Sequence, residues 1–528
     1  MKKTVLSFSL SLLFCTAFSQ KDVSEKYAGH ITGDNLKKHL SVIASEEMEG
    51  RETGTEGQRR AAAYIEATFK NTGLKQPAGL QGYQQLYPLY EDSTDVTLSS
   101  LKIANTDLAY GEHYFVNVMA NSSKNISAAQ LVFAGYGISE ANYDDYTNID
   151  VKGKVAVIFL GEPRQNGKFL VTGTSSYSKY TYPGVAEKMR IAAEKGAVAA
   201  IIINPTAATI SNAIVTANKK SKQYLPPSGH ENAANYLVAS HSVFKTFFPS
   251  WNPDSLLQAA KSFVPFNAMA LPTLNEPFNF NYKKERQVVN ASNVLGIIEG
   301  TDKKDEYVFL TAHYDHLGKK GSKIYYGADD DGSGTCAVIT MAEAFAKAKA
   351  EGHGPRRTIV FMTVSGEEKG LWGSEYYTDN PVFPLNKTSV DLNIDMVGRV
   401  DSEREKEDTL NYMYVVGHDK ISSELPVINE EANRKYTNLV LDYKFDDPKD
   451  SERIYYRSDH YNFAKKGVPV LFFYDGMLKA DYHKTTDTIE KINWDLYQKR
   501  VRLIFHTAWE MANKDAMLKR DKPLPAED

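Results

Sequence analysis

The sequence predicts an α/β fold, in which a mixed, largely parallel sheet is sandwiched by helices and a separate β-rich domain is inserted into the chain. From about residue 290, apolar runs typical of buried strands alternate with helical segments. This order is typical of a largely parallel sheet covered on both faces. Residues from about 100 to 275 lack this alternation. They have short β-rich runs separated by Gly, Asn and Ser turns, which indicates a second domain. A chain of 528 residues is long enough for two domains.

Composition is that of an ordinary globular protein, with 42% hydrophobic and 24% charged residues and a net charge of -4. No basic stripe is present, so nucleic acid is not predicted as a partner. After the N-terminal segment, no run reaches the roughly 20 apolar residues that a membrane span needs. The oligomeric state is left open between monomer and homodimer.

The N-terminal segment, "MKKTVLSFSLSLLFCTAFSQ", has the order of a signal peptide over residues 1–19. Lys2 and Lys3 precede a short apolar core, and small residues follow as a cleavage site. A secreted or periplasmic location is therefore expected. A buried N-terminal helix is the alternative. Lipoprotein anchoring at Cys15 is disfavoured because Phe14 precedes it where a small residue is usual.

The predicted elements follow in chain order. Two helices lie between residues 34 and 71, and one clear helix, "YPGVAEKMRIAAEKGA", lies in the β-rich segment. The alternating part begins with the strand "EYVFLTAHYDH", the helix "GTCAVITMAEAFAKAKAEG", the strand "RTIVFMTVSGEE" and the helix "GLWGSEYYTDN". Strands follow over "SVDLNIDMVG", "TLNYMYVVG" and "VPVLFFYDG", and an amphipathic helix closes the chain. Cys336 begins an apolar helical run and is predicted to be packed inside the protein.

Polar residues lie where these strands end, and ligands of such sheets bind outside the carboxyl ends of the strands. The residues at these positions are His313, Asp315, Glu367, Glu368 and Asp395, with His483 soon after a strand and Asp330 in the loop "GADDDGSG". Taken singly, each signal is weak. A His-x-Asp pair is more often a hydrogen-bonded pair, an adjacent Glu-Glu a solvated turn, and an Asp run a turn or helix cap.

Imidazole and carboxylate groups together suit zinc. The possible metal ligands are His313, Asp330, Glu368, Asp395 and His483. Five ligands exceed what one tetrahedral zinc needs, and they match two metals about 3.5–4 Å apart if one carboxylate bridges. The sequence therefore predicts two Zn²⁺ per chain, with one Asp of the loop as a shared ligand. Glu367, beside a ligand, is predicted to be the general base.

Five segments resemble the co-catalytic zinc aminopeptidases, the superfamily that includes bacterial secreted aminopeptidases, aminopeptidase Y and glutamate carboxypeptidase. They are "TAHYDHLG", "GADDDGSG", "SGEEKGLWGSEYY", "NIDMVG" and "YHKTTDT", in the order of the family. "MEGRETGTEGQRRAAAYI" (48–65) is similar to the N-terminal segment of the family. The resemblance implies the zinc exopeptidase (phosphorylase/hydrolase-like) fold, and no catalytic position is replaced.

The resemblance assigns the metal ligands residue by residue. His313 and Asp395 would hold one zinc, Glu368 and His483 the other, and Asp330 would bridge them. Asp329 and Asp331 would not be ligands.

Other roles follow from the same resemblance. Glu367 would act as general base and then acid, and Asp315 would accept a hydrogen bond from His313 and orient it. Tyr482 would donate to the carbonyl oxygen as it becomes an oxyanion, although a simply packed tyrosine is an equal alternative. Ser458 and Asp459 are interpreted as helix-capping residues or as supports of the ligands.

The segment "GYGISEANYDDYTNIDVKGKVAVIFLGEP" resembles the protease-associated (PA) domain. The predicted organisation is a signal peptide at 1–19, a zinc peptidase domain at 20–100 and 276–528, and an inserted PA domain at 101–275. The PA domain would cover the active-site cleft or filter substrates. A purely structural or dimer-forming module is the alternative.

The predicted function is a secreted or periplasmic di-zinc metallo-aminopeptidase, in which Glu367 activates a water between the zincs to release N-terminal residues from peptides. A glutamate-carboxypeptidase-like exopeptidase is the alternative, with Arg399 or Arg457 as candidates to hold a free carboxylate. Glutaminyl cyclase typically keeps one zinc, and non-catalytic receptors on this scaffold lose ligands, so the intact site disfavours both. The preferred residue and the metal used in the cell stay open, since cobalt or manganese can occupy such sites.

Overall fold

A computed structural model describes residues 20–175, 178–180, 185–226, 233–267, 270–404 and 410–524. The predicted signal peptide, with Cys15, lies outside these residues. The chain forms two compact units. The split unit comprises Met1–Tyr87 and Asn290–Asp528, and the inserted unit comprises Pro88–Val289. The predicted segment 101–275 lies within the inserted unit, whose bounds fall instead inside two long strands.

Helices are amphipathic segments for the most part, and several begin with a side-chain cap, such as Thr55 on Gln58 N–H. The described helices are α1 Gln20–Ala28, α2 Gly33–Ile43, α3 Glu56–Thr72, α4 Val185–Glu194, α5 Asn212–Lys219, α6 His241–Phe247, α7 Pro253–Lys261, α8 Gly332–Ala350, α9 Trp372–Asp379, α10 Leu425–Ala432, α11 His460–Lys465 and α12 Trp494–Asn513. None of these described helices has the length and apolar character needed to cross a membrane.

Strands make up the rest of the regular structure. They are β1 Gln84–Thr94, β2 Ser100–Ile103, β3 Thr106–Leu108, β4 Tyr114–Phe115, β5 Lys124–Ala128, β6 Leu131–Phe133, β7 Ser139–Glu140, β8 Tyr143–Asp144, β9 Val155–Phe159, β10 Arg164–Gln165, β11 Lys168–Phe169, β12 Ala199–Asn204, β13 Asn235–Ser240, β14 Thr273–Leu274, β15 Phe278–Tyr282, β16 Lys284–Ile298, β17 Lys303–His313, β18 Lys319–Lys320, β19 Lys323–Ile324, β20 Arg357–Val364, β21 Thr388–Ile394, β22 Tyr412–Val416, β23 Val440–Asp442 and β24 Val470–Tyr474.

The main sheet has eight strands in the order β1-β16-β20-β17-β21-β24-β22-β23. Its centre is parallel: β20, β17, β21 and β24 run side by side in one direction. The pairs β16–β20 and β22–β24 are antiparallel, so the sheet is mixed. Every residue of β20, β21 and β24 is buried, which requires cover on both faces. The predicted fold class is confirmed.

Helices α8 and α12 pack against the central strands and against each other, while α9 packs on α11, which also contacts β21 and β24. Their apolar side chains join the strands in one continuous core of the split unit. Cys336 is fully buried in α8, as predicted. This core holds the carboxyl ends of the parallel strands in fixed positions, and the polar residues of interest lie there.

The inserted unit has its own hydrophobic core. A six-stranded sheet, in the order β14-β6-β9-β12-β13-β4, has a parallel centre, and a four-stranded antiparallel sheet has the order β3-β2-β15-β5. Helix α4 coincides with the one helix predicted here. The prediction missed α5, α6 and α7, which are seven to nine residues long and too short to give a clear apolar period.

Candidate metal centre

The predicted ligands meet at one edge of the main sheet because the strands that carry them are parallel neighbours. His313 is the last residue of β17, and Asp395 directly follows β21. Glu367 and Glu368 follow β20 after a turn at Gly366, whose φ of 78° is in the left-handed region that favours glycine. His483 lies in the loop after β24. The structure therefore brings all five predicted ligands and Glu367 together.

A first group of ligand atoms surrounds His313. Its Nε2 lies 3.3 Å from Asp330 Oδ1, 3.5 Å from Asp395 Oδ1 and 3.8 Å from Glu367 Oε2. The His313 side chain is only 1% exposed. Ligand atoms around one tetrahedral zinc lie about 3.3–3.6 Å apart, given bonds of about 2.0–2.2 Å. His313, Asp330 and Asp395 can therefore share one cation, with Glu367 beside it.

A second group lies on the other oxygen of Asp330. His483 Nε2 lies 3.2 Å from Asp330 Oδ2 and 2.9 Å from Glu368 Oε2. His316 Nδ1 lies 2.7 Å from Glu368 Oε1 and 3.9 Å from Asp330 Oδ2. His316 was not among the predicted ligands. Its place in "HYDH", three residues after a proposed ligand, was a signal that could have found it.

Unpaired polar atoms in the site indicate that its histidines and carboxylates fit zinc, without reference to any relative. Among the described residues, buried polar atoms without a hydrogen-bond partner include His313 Nε2, both ring nitrogens of His316, Asp330 Oδ2 and Glu368 Oε1. Buried polar atoms are otherwise almost always paired, because an unpaired one costs about 1–3 kcal/mol. His313 Nε2, His316 Nδ1, Asp330 Oδ2 and Glu368 Oε1 each lie 2.7–3.9 Å from another ligand atom, and cations between them would satisfy them.

Charge compensation in the site is mutual. Burial alone would raise the pKa of Asp330, but His313, His316 and His483 hold it well below its usual 3.8. Burial would lower the pKa of His483, but hydrogen bonding with Asp330 and Glu368 raises it to about 10. Burial itself raises the pKa of Glu367 well above 4.5. The cluster therefore attracts positive charge, while the Glu367 carboxyl, unlike that of Asp330, favours its protonated form.

The two aspartates that flank Asp330 accept hydrogen bonds from backbone N–H groups and do not face the ligand groups. Asp331 Oδ2 accepts from His313 N–H at 3.2 Å, and its Oδ1 accepts from Gly334 N–H at 2.7 Å and Met396 N–H at 3.1 Å. Asp331 thus caps α8 and joins the ends of β17 and β21. A Cβ at Gly334 would lie 2.2 Å from the Ile394 carbonyl oxygen, so only glycine permits this approach.

Asp329 and Asp487 hold the loop of the shared carboxylate from the other side. Asp329 Oδ1 accepts from Gly398 N–H at 2.8 Å. The Asp487 carboxylate accepts from the backbone N–H groups of Asp329 and Asp330 at 3.0–3.1 Å. Asp487 lies four residues after His483, so one loop supplies both a ligand and a support for the shared Asp330. The sequence analysis gave Asp487 no role.

The N-terminal motif supports the site through two residues that sequence reasoning also missed. The buried Arg51 guanidinium donates to the carbonyl oxygens of Tyr314 at 2.7 Å and Gly327 at 2.9 Å, among others. Thr53 donates to Asp315 Oδ2 at 2.6 Å and accepts from Gly366 N–H at 2.9 Å. Arg51 therefore ties together the two loops that carry His313 and Asp330, and Thr53 ties the loop of Glu367 to Asp315.

Asp315 lies beside His313, but the contact differs from the predicted one. His313 Nδ1 hydrogen-bonds the Asp315 main-chain oxygen at 3.1 Å, while the Asp315 carboxylate oxygen is 3.6 Å away. The carboxylate instead accepts from Thr53 and from Glu367 N–H, the latter at 3.3 Å. Asp315 thus orients His313 through its backbone, because its side chain is engaged by two other groups.

Tyr482 lies in the cleft beside the ligand groups, with its ring stacked on that of His483 at 3.8 Å between centroids. Arg457, in the same cleft, donates to the Tyr482 hydroxyl at 3.3 Å. Burial raises the pKa of Tyr482, so the hydroxyl keeps its proton at neutral pH. Ser458 donates to Asp395 Oδ2 at 2.7 Å and thereby supports a ligand.

Two segments of the chain match known protein families. Residues 293–508, which include every residue of the two ligand groups, match peptidase family M28, and residues 126–235 match the PA domain. A glutamate carboxypeptidase 2 homolog of Caenorhabditis briggsae is 23% identical over 84% of this chain and 62% of its own length. A probable leucine aminopeptidase of Trichophyton verrucosum is 29% identical over 42% of this chain and 57% of its own length.

Among solved structures, an aminopeptidase from Aneurinibacillus sp. strain AM-1 covers 96% of this chain and 98% of its own, with a TM-score of 0.46 and 17% identity. The chain spans 62% of the length of the Caenorhabditis briggsae relative and 47% of the length of a probable glutamate carboxypeptidase of Zea mays. The chain is similar to peptidase family M28 over residues 293–508 and to the PA domain over residues 126–235, which agrees with the predicted resemblance to zinc aminopeptidases with a PA insertion.

Proposed function

We propose that the protein is a di-zinc metallopeptidase that releases N-terminal residues from peptides. One observation carries this proposal. The two carboxylate oxygens of Asp330 face two separate groups of ligand atoms, and Glu367 lies beside the first of them. A shared carboxylate with a free neighbouring carboxylate is the arrangement that two-metal hydrolysis needs. His313 and Asp395 would hold one zinc, and Glu368 and His483 the other.

Zinc, when bound, would polarise the scissile carbonyl and lower the pKa of a water, so that this water can lose a proton and attack the carbonyl at neutral pH. Glu367 would take the proton from that water onto its carboxylate and then give it to the leaving amine. Asp315 would fix Glu367 by accepting from its main-chain N–H.

The tetrahedral oxyanion would be met by Tyr482. Its hydroxyl accepts from Arg457, which leaves its own proton free to point into the cleft. A donor that already aims at the developing charge stabilises a transition state more than the ground state. Arg457 would act through Tyr482 as a positioning residue.

Amino-end specificity is supported by the charge of the cleft. Asp330, Glu367 and Asp395 line it, and a protonated N-terminus would be favoured beside these carboxylates. The fungal relative named as a probable leucine aminopeptidase agrees with this direction.

Cleavage at a carboxyl end is the second candidate, and one side chain favours it. Arg457 lies in the cleft and could hold a free carboxylate. Arg399, the other candidate from the sequence, already pairs with Asp481 at 2.9 Å, which leaves it less suited. The relative from Caenorhabditis briggsae is named as a glutamate carboxypeptidase homolog.

We also propose that residues 1–19 direct export, and that the PA domain takes part in the selection of substrates. Neither proposal affects the chemistry assigned to Glu367.

The test uses purified protein with aminoacyl-nitroanilides, N-blocked analogues and peptides that end in glutamate, each assayed as isolated, after chelation and after zinc is restored. Hydrolysis of free-amine substrates only, lost with chelator and regained with zinc, is the expected result. Glu367→Gln should lower kcat by at least about 10²-fold while zinc content is unchanged, because it removes the proton acceptor alone.

Cleavage confined to peptides that end in glutamate would support the carboxypeptidase alternative, and Arg457→Met should then raise KM. A zinc-loaded protein that hydrolyses none of these substrates would overturn both candidates. Glu343→Gln, in α8 and paired with His30 and His39 away from the ligand groups, is a matched control that should leave kcat unchanged.

A further inference from the structure

We propose that His316 is a sixth metal ligand, which completes the coordination of the second zinc together with Asp330, Glu368 and His483. This inference rests on the proposed two-metal function. It differs from the ligand set that the sequence predicts, in which each zinc has two ligands of its own and a shared Asp330.

The His316–Glu368 contact is short but is not aligned as a hydrogen bond. Nδ1 and Oε1 are 2.7 Å apart, yet among the described residues neither atom has a hydrogen-bond partner, because donor and acceptor are not aligned. Two atoms that both point at a third position between them have this relation. His316 is fully buried and the Glu368 side chain is 3% exposed, so water cannot replace the missing partner freely.

Close packing against the backbone at Gly327 holds the His316 ring in this orientation. Gly327 has a φ of 55°, and a Cβ there would lie 2.6 Å from His316 Cγ. The ring therefore lies directly against a backbone that only glycine provides. Arg51 fixes the same backbone by donating to the Gly327 carbonyl oxygen at 2.9 Å. His316 is placed by the fold toward the second group, not free to turn away from it.

The two metals would then differ in coordination. His316, Glu368, His483 and one oxygen of Asp330 make four protein ligands, the number typical of closed zinc sites. The first group has three, from His313, Asp395 and the other oxygen of Asp330, and leaves a position open toward Glu367. We infer that the second zinc is held tightly and supplies fixed charge, while the first zinc is the exchangeable one that faces substrate.

The experiment measures metal binding rather than turnover. Full-length protein is stripped of metal and titrated with Zn²⁺ by calorimetry, and cobalt-substituted protein is examined by ¹H NMR for exchangeable, hyperfine-shifted imidazole N–H signals. Three such signals are expected for the wild type, one each from His313, His316 and His483. His316→Gln should lose one signal and weaken the tighter Zn²⁺ step by on the order of 100-fold or more, above the usual loss for a supporting residue.

His353→Gln, an exposed histidine of the split unit, is the control and should leave both measurements unchanged. Wild-type protein that binds two metals but gives only two shifted signals would overturn the assignment of His316, and the proposed function would stand. That result needs no variant, so a poorly folding His316→Gln would not obscure it. Protein that binds no zinc at micromolar concentration would overturn the proposed function as well.

Discussion

At the scale of single residues, the three consecutive aspartates have different roles because their side chains point in different directions. Asp330 faces the ligand groups, while Asp329 and Asp331 accept from backbone N–H groups at the ends of neighbouring strands. The burial of three adjacent carboxylates is offset by backbone N–H groups that bond both oxygens of Asp331 and one oxygen of Asp329, and by the histidines around Asp330. Their chemistry is identical, and only position decides their roles.

Ser458 offers a test at this scale. Its hydroxyl donates to Asp395 Oδ2 at 2.7 Å and accepts from Asn393 at 2.9 Å, so it fixes a ligand without touching the metal. Ser458→Ala should weaken zinc binding by roughly 10–100-fold, as loss of such supports commonly does. Titration calorimetry of the stripped protein measures this. Ser423→Ala, an exposed serine bonded to Asp521, is the control, and equal affinities for the two variants would contradict the role of Ser458.

At the scale of elements, two long strands carry the boundary between the units. β1 and β16 begin and end in different units, and buried charge organises the part that lies in the inserted unit. Asp92 of β1 is fully buried and accepts from Lys284 Nζ at 2.7 Å, Arg286 Nε at 2.7 Å and the Tyr224 hydroxyl at 2.6 Å. The pair of strands is thus joined by side-chain charge as well as by main-chain pairing.

Asp92→Asn should destabilise the inserted unit by about 3 kcal/mol at neutral pH, because it leaves buried cationic groups without their partner. Burial alone would raise the pKa of Asp92, but hydrogen bonds from Arg286 and Lys284 hold it well below its ordinary 3.8. A depressed folded-state pKa stabilises the protein above the unfolded value and loses that effect as pH falls below it. The difference between wild type and variant should therefore shrink below pH 3.8.

Urea denaturation of both proteins at several pH values measures this difference. Asp107→Asn, at an exposed position of β3, is the control and should match the wild type throughout. A destabilisation by Asp92→Asn that stays constant down to pH 2 would show that the carboxylate charge is not its cause.

At the scale of the whole molecule, the chain builds two units around two separate hydrophobic cores. The candidate metal centre lies entirely in the split unit, where its carboxylates and histidines lie at the ends of four parallel strands and in the loops that follow them. Bound metal should therefore stabilise one unit and not the other, since a ligand stabilises only the state that binds it.

Chelation should lower the melting temperature of the split unit by on the order of 10 °C, the effect of a ligand present far above its Kd. Differential scanning calorimetry should resolve this transition from one that chelator does not move. Asp92→Asn should shift that second transition instead and so assign it to the inserted unit. If chelator shifts neither transition, metal does not bind the folded split unit.

The sequence by itself determined the fold class, the PA segment and the residues at strand ends. Alternating strands and helices predict a parallel sheet, and parallel strands bring their carboxyl ends to one edge whatever the loops do. His313, Glu368 and Asp395 could be selected in this way because each lies within four residues of the end of a buried strand. A strand and the polar residue that follows it are neighbours in sequence, so this pattern can be recognised from the sequence alone.

Only the tertiary structure decided which groups touch. Thr53 and Asp315 are 262 residues apart in sequence, and Arg51 and Gly327 are 276 apart, yet each pair is hydrogen-bonded. His316 lies three residues from His313 but joins the other ligand group, because the loop after β17 turns it toward Glu368. Such contacts depend on how loops pack against a finished core, and no period or motif spacing encodes that packing.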